Sequence, residues 1–229
     1  NRPVEVILIP RLGNTLLLMS CALFLALAIA LPLGVAAARR PGSLLDLLVN
    51  FGAFAGASLP SFWLAILLIL LFAVTLGWLP AGGMGQESLM ERLRHLILPV
   101  VALSVASVAG LLRHVRASVR DALRQDWVRT ARAKGLSERQ VVYGHVLRNA
   151  MIPVVTILAL ELGTLFGGAL ITETVFAWLG MGKTIYDAIM GNDFNLALVG
   201  LLLATGTVLL ANLLADLVYA WLDPRIDYR

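Results

Sequence analysis

Residues 129–150 read RTARAKGLSERQVVYGHVLRNA, a basic segment interrupted by a glycine and set between apolar runs long enough to cross a membrane. The wider loop from Arg113 to Arg148 holds nine Lys or Arg against three acids, a net charge of +6. The whole chain carries only +4, so the other residues sum to −2. This contrast between a charged loop and its apolar flanks decides the fold. Such a loop is where a membrane protein can meet a soluble partner.

Composition supports an integral membrane protein. The 229 residues are 59% hydrophobic and 14% charged, with a mean hydropathy of +0.87. Soluble domains average about 25% charged residues. The apolar content exceeds what a soluble core needs, so we expect an all-α bundle of membrane helices.

Five apolar runs organise the chain. A spanning helix needs about 20 residues at about 1.5 Å each, so the second run is too long for one straight helix. It contains a break at Ser58–Leu59–Pro60 and predicts either two spans or one span with a broken extension. The runs cover residues 15–38, 45–79, 96–112, 152–171 and 196–222.

Charge predicts the orientation of these runs. Positively charged loops remain in the cytoplasm, which places both Arg39–Arg40 and the Arg113–Arg148 loop inside. Two loops on the same side of a membrane are separated by an even number of crossings. We therefore count the second run as one span and the third run as one span. The prediction is five spans, with Asn1 outside and Arg229 inside.

Arginines follow the third run at helical spacing and predict an amphipathic extension of that helix into the cytoplasm. The alternative is a solvated positive anchor near anionic headgroups. The arginines are Arg113, Arg116, Arg120 and Arg124, and the apolar residues on the other face are Leu112, Val115, Val119 and Ala122.

The middle of the basic loop predicts a helix, a sharp turn and a second helix. Gly135 interrupts a helix-favouring sequence, and glycine readily ends a helix in the left-handed conformation. Ser137 is placed to cap a second helix that runs through Val141, Val142 and Tyr143. The result would be a knob able to enter a cleft on a partner.

The spacing in this knob resembles the cytoplasmic coupling loop of bacterial ABC importer permeases. The family pattern is Glu-Ala-Ala, three residues, Gly, nine residues, then Ile-x-Leu-Pro. The glycine, one alanine and the leucine match Gly135, Ala131 and Leu147, whereas the acidic start and the final proline are absent. This variant is similar to the dipeptide, oligopeptide and nickel branch, and the resemblance extends from Arg2 to Arg225. It implies ATPase coupling by Arg129, Thr130, Ala131, Arg132, Ala133, Lys134, Gly135, His145, Leu147, Arg148 and Asn149.

The resemblance implies a type I ABC importer permease fold in one domain, residues 1–229, with coupling loop 113–150 and extracytoplasmic segment 172–194. The implied function is the translocation subunit of an importer for di- or oligopeptides, with nickel chelates or another small solute as the alternative. Such a subunit is not an enzyme and binds no cofactor or metal. Members usually carry a further N-terminal span, so we expect this chain, which begins at Asn1, to lack it.

The implied assembly lies in the bacterial inner membrane, with the coupling loop and C-terminus in the cytoplasm. Its other members would be a second homologous permease, two ATP-binding subunits that hold ATP and Mg²⁺, and an extracytoplasmic substrate-binding protein. Membrane lipid would surround the spans. Nucleic-acid binding is disfavoured because the basic loop is tethered at both ends to membrane helices.

Gly180–Thr184 reads GMGKT and imitates part of a phosphate-binding loop. The full motif requires glycine at Ala177, and the predicted topology places this segment outside, where ATP is absent. We therefore reject a nucleotide site. The stretch from Glu173 to Gly182 instead resembles an extracytoplasmic family signature that reads AWPG, with Leu179 in place of the proline.

Polar residues within the spans are candidates for a function. Glu161 lies near the middle of the fourth run, where it could line the pathway or contact substrate, or form a structural hydrogen bond. Asp216 and Asn212, one helical turn apart, favour a structural role. Small-residue pairs predict close helix packing at Gly52/Gly56, Ala106/Gly110 and Gly163/Gly167.

Two other classes of membrane protein are disfavoured. An ion channel is expected to show a repeated filter or pore ring, and none is evident. An intramembrane enzyme needs a nucleophile–base pair or metal ligands. The three histidines are scattered, and Cys21 lies alone in an apolar run.

Overall fold

The computed structural model describes residues 4–85 and 87–222. This part of the chain is helical and contains no strand. The helices are α1 (Val4–Arg39), α2 (Leu44–Ser58), α3 (Ser61–Leu68), α4 (Leu89–Leu123), α5 (Asp126–Ala133), α6 (Leu147–Val175), α7 (Met181–Met190) and α8 (Phe194–Leu222). Wider π-helical turns extend α3 through Ile69–Thr75 and precede α6 over Gln140–Val146.

Local chemistry accounts for the helix boundaries. Ser43 caps α2 by accepting the amide of Asp46, and Ser88 caps α4 by accepting that of Glu91. Pro60 forces Leu59 into an extended conformation and stops α2. The helical pair 44–58 and 61–75 is consequently bent by 100°. The predicted break in the second apolar run is thus confirmed.

The predicted membrane bundle is confirmed. Four helical stretches in the described chain are long and apolar enough to cross a membrane, and a fifth crossing results if the bent pair counts as one. Apolar side chains on α2, α3 and α8 are largely exposed, as at Phe51, Phe54 and Leu202. Their exposure is what a lipid-facing or subunit-facing surface requires.

Helix α4 lies at the centre, and its interface with α1 is the most extensive in the described chain. Gly34 makes this interface possible, because a Cβ there would lie 2.8 Å from Cγ1 of Val115. Gly56 and Gly110 also approach neighbouring side chains closely, whereas Gly52 and Gly167 do not. The predicted small-residue pairs are therefore only partly used, and the close approach of α1 to α4 occurs at a glycine outside them.

Short helices close the two ends of the α1–α4–α6 bundle. Helix α5 packs where α1 and α4 end, and α7 packs near the start of α1 and the end of α6. We refer to these as the α5 end and the α7 end.

Candidate functional site

The α5 knob, residues 126–146, contains the predicted turn. Gly135 has φ +79°, and its amide donates to the carbonyl of Arg132 at 2.9 Å. The amide of Leu136 donates to the carbonyl of Ala131 at 3.4 Å. These two bonds form a Schellman motif, which satisfies the last carbonyls of α5 and needs a left-handed residue at Gly135. The predicted helix end is confirmed.

A capping box begins the second helix of the knob. The amide of Ser137 donates to Oε1 of Gln140 at 2.9 Å, and the amide of Gln140 donates to Oγ of Ser137 at 3.4 Å. Each side chain therefore satisfies an amide of the other residue. The helix–turn–helix predicted around Ser137 is confirmed, although its second helix starts with wide π-helical turns.

The inner face of the knob is apolar and buried. Val128 and Ala131 of α5 pack with three valines of the second helix, Val141, Val142 and Val146. The same cluster includes the ends of two spans, through Val35 and Ala38 of α1 and Val115, Val119 and Ala122 of α4. The predicted apolar face of the α4 extension is thus confirmed, and the knob has a packed connection to α1 and α4.

The outer face of the knob is charged and exposed. Ala131 is buried and Leu147 half-buried, so these two predicted coupling residues contribute to packing rather than to an open surface. The other nine are exposed, namely Arg129, Thr130, Arg132, Ala133, Lys134, Gly135, His145, Arg148 and Asn149.

Two ion pairs stabilise the exposed face. Arg129 lies 3.4 Å from Asp126, with most of both side chains in solvent. Arg132 donates to Glu138 from Nε at 2.7 Å and from a terminal nitrogen at 3.3 Å, which joins the two sides of the turn. The hydrogen bonds from Arg132 lower the pKa of the Glu138 carboxyl.

The arginines of the predicted stripe on α4 lie in different environments. Arg116 forms a two-point ion pair with Asp46, in which a terminal nitrogen lies 2.8 Å from Oδ2. The Asp46 side chain is only 5% exposed, so a solvated anchor is the wrong description of Arg116. Arg113 instead remains exposed and donates to the Ala109 carbonyl.

A hydrogen bond links α4 to the intramembrane acid Glu161 on α6. Oγ of Ser107 on α4 donates to Oε2 of Glu161 on α6 at 3.0 Å, and Gly110 leaves room for the carboxylate. Glu161 is half-buried and joins the two helices, as one of its two predicted roles requires. Asn212 is half-buried on α8, whereas the side chain of Asp216 lies outside the described residues.

The α7 end contains a buried carboxylate. Glu173 is fully buried, accepts the hydroxyl of Thr15, and accepts the amide of Lys183 at 3.0 Å. The hydroxyl of Thr15 in turn accepts the amide of Met181 at 2.8 Å. We call these four residues the Glu173 network. A Cβ at Gly180 would overlap the carboxylate, so glycine is needed there.

This network explains the imitation of a phosphate-binding loop. Lys183 lies in the first turn of α7, where free amides favour an anion. The Glu173 carboxylate already occupies that position, and the preceding element is helix α6 rather than a strand. The structure therefore agrees with rejecting a nucleotide site.

Asp46 and Glu173, two buried acids with hydrogen-bond partners on other helices, were not among the site residues predicted from the sequence. A signal for Asp46 was present, since Ser43–Asp46 has the spacing of a capped helix start. For Glu173 the signal was an acid at the end of an apolar run. Within the described chain, no three His, Cys, Asp or Glu side chains come together as metal ligands would.

The sequence of this chain is similar to those of membrane components of transport systems. Residues 30–228 match the family described as binding-protein-dependent transport system inner membrane component. The oligopeptide transport system permease protein AppB of Bacillus subtilis is 41% identical over 99% of this chain and 73% of its own length. The dipeptide transport system permease protein DppB of Escherichia coli K12 is 36% identical over 99% of this chain and 74% of its own length.

Solved structures share the fold. The structure of the MetNI methionine ABC transporter in an inward-facing conformation aligns with a TM-score of 0.78 at 21% identity, over 97% of this chain and 99% of the other. An amino acid ABC transporter structure aligns with a TM-score of 0.67 at 16% identity, over 95% and 93%. The predicted importer-permease fold is confirmed.

Proposed function

The chain belongs to the family of binding-protein-dependent transport system inner membrane components, and from this premise we propose that it translocates di- or oligopeptides in an ATP-driven importer. The peptide assignment rests on the relatives, which are named as oligopeptide and dipeptide permeases. Nickel chelates or another small solute are the alternative, and no observation in the structure favours them.

The α5 knob is the proposed coupling element to two ATP-binding subunits. Its outer face offers exposed charged side chains, and its inner face packs on the ends of α1 and α4. A displacement of the docked knob would therefore move α1 and α4 together. ATP binding and hydrolysis at the partners, with their Mg²⁺, would bias this chain between conformations open to opposite sides.

The remaining partners are proposed from the same family membership. A second homologous permease would complete the pathway, against exposed apolar faces such as that of α8. An extracytoplasmic substrate-binding protein would deliver the peptide at the α7 end, to segment 172–194. Glu161 and Asn212 are candidates for lining the path within the bilayer, together with Asp216.

The observation that best supports coupling is Gly135, which has a left-handed backbone in the turn between the two helices of the knob. Replacement by aspartate strains the backbone by about 1 kcal/mol and adds a side chain to the docking face. We expect Gly135→Asp to abolish most substrate-stimulated ATP hydrolysis and uptake in proteoliposomes. Assembly with the second permease should persist, and ATPase subunits should be retained less well.

Gly77→Asp is the matched control. Gly77 also has a positive φ (+63°) and open space around its Cβ position, but it lies beyond α3, outside the knob. It should lose similar stability and keep coupling. If Gly135→Asp supports normal uptake, or if both variants lose uptake equally, the knob is not the coupling element.

The α5 end is proposed to be cytoplasmic on the basis of its positive charge. The test is labelling with a membrane-impermeant maleimide in a Cys21→Ala background. Cysteine at Arg129, whose side chain is 76% exposed, should react only after cell lysis. Cysteine at the exposed Glu87 should react in intact cells. The reverse pattern would invert the topology.

A further inference from the structure

A basic cleft of about 300 Å³ lies between the ends of α1 and α4 and the α5 knob. Five arginines face a single acid across it, a formal charge of +4 that equals the net charge of the whole chain. An anion in this cleft would be attracted by every cation around it. The charged residues that line it are Arg39, Arg40, Arg120, Arg124, Arg132 and Glu138.

The positive charge of the cleft is not neutralised within the described chain. Glu138 is engaged by Arg132, and no other carboxylate lines the cleft. Nε of Arg120 is buried and has no hydrogen-bond partner among the described residues. A buried donor without a partner is costly, so a small rotation of the Arg120 side chain that let it donate to an oxyanion in the cleft would stabilise the site.

An apolar groove of about 360 Å³ adjoins this cleft at Arg39, which lines both. The side chains along it are Leu31, Pro32, Val35 and Ala36 of α1, with Tyr143, Leu147 and Met151 opposite. A ligand held at Arg39 would therefore meet cationic surface in one direction and apolar surface in the other. This arrangement fits an amphiphile better than a free anion.

The position of Arg39 relative to the lipid-facing surface supports the same ligand. Only a short turn separates α1 from α2, and α2 opens with Leu44, which is 72% exposed. Leu47, Leu48 and Phe51 continue this exposed apolar surface. The basic cleft thus lies beside the point where an exposed apolar surface suited to hydrocarbon begins.

We propose that the cleft and the groove together bind one anionic phospholipid. Its phosphate is held by Arg120 and Arg124, with Arg39 at the junction, and an acyl chain lies along the groove over Ala36 and Met151. Arginine suits this ligand because its planar donors pair with phosphate oxygens at two points. The lipid would connect the knob to α1 and α4 at the coupling interface.

The experiment is native mass spectrometry of the intact assembly titrated with phosphatidylglycerol or with phosphatidylcholine of the same chains. Phosphatidylglycerol should bind more tightly, and Arg120→Gln/Arg124→Gln should weaken it by about 25-fold. This corresponds to about five-fold, or ~1 kcal/mol, for each arginine. Arg113→Gln is the matched control, since this exposed arginine lies on the same helix outside both cavities, and it should change affinity less than two-fold.

Further arms distinguish the lipid from other anions. Ala36→Phe, which fills the groove, should weaken phosphatidylglycerol without affecting glycerol phosphate. Equal affinity for glycerol phosphate and intact lipid, with no effect of Ala36→Phe, would overturn the proposal in favour of a free anion. Unchanged lipid affinity in the double variant, with loss of ATPase subunits, would overturn it in favour of protein docking.

If the double variant fails to assemble, the test uses Arg124→Gln alone, at the exposed end of α4. This variant should bind phosphatidylglycerol about five-fold more weakly than the wild type.

Discussion

The two ends of the α1–α4–α6 bundle are each closed by a short helix, but these helices are positioned by different forces. Helix α5 lies on valines and alanines, and its charged side chains point to solvent. Helix α7 also buries apolar residues, Met181 and Ile185, but its first turn is fixed by the buried Glu173 carboxylate. Apolar contacts have little directional preference, whereas hydrogen bonds to a buried carboxylate are short and directional.

This difference indicates which end is suited to movement. The Glu173 network joins α1, α6 and α7 through side-chain and main-chain bonds that allow little displacement. The valine packing between the knob and the ends of α1 and α4 can shift as a body at smaller cost, because no buried ion pair in the described chain joins the knob to these two helices. We therefore expect the α5 end to transmit motion and the α7 end to resist it.

The largest expected effect comes from removing the carboxylate at the α7 end. Glu173→Leu leaves the amide of Lys183 and the hydroxyl of Thr15 without their buried acceptor. The Thr15 hydroxyl that accepts the amide of Met181 is then no longer held in place. We expect a loss of about 3 kcal/mol or more, measured as thermal stability of the detergent-solubilised assembly. Glu173→Gln keeps the shape and part of the bonding, so it should cost less. Wild-type stability of Glu173→Leu would show that the network does not position α7.

A smaller effect is expected at the α5 end. Val128→Ala removes two buried methyl groups from the inner face of the knob and should cost about 2 kcal/mol. Val49→Ala is the matched control, because it removes the same two methyl groups from a buried site on α2, outside the knob. We expect Val128→Ala to reduce coupling of ATP hydrolysis to uptake more than it reduces assembly. Equal losses of coupling in both variants would contradict a role for the buried face.

Sequence reasoning succeeded where the signal is local. The apolar runs, the break before Pro60 and the turn at Gly135 and Ser137 depend on residues close in sequence, and the structure contains all three. The importer-permease fold came from the family resemblance, which the comparisons support.

Pairings between distant helices could not be predicted in this way. Glu173 and Thr15 are 158 residues apart, and Arg116 and Asp46 are 70 apart. Which residues meet depends on the rotation of each helix about its axis, and spacing along one helix does not define that rotation. Gly34 illustrates the same limit, because its importance follows from the position of Val115 on α4.

The smallest expected effect is at the exposed ion pair of the knob, and it tests whether charge or packing holds the α5 end. Arg132 and Glu138 are 43% and 56% exposed, so solvent screens their attraction and Glu138→Gln should cost about 0.5 kcal/mol or less at neutral pH. The pKa of Glu138 is lowered in the folded state, so the stabilisation is fully present above the unfolded pKa of about 4.3. It is lost as the pH falls through the folded value. Thermal stabilities of wild type and Glu138→Gln should therefore differ slightly at pH 7 and converge in acid. A difference that grows on acidification, or a loss at pH 7 as large as that of Val128→Ala, would mean that charge rather than apolar packing holds the knob.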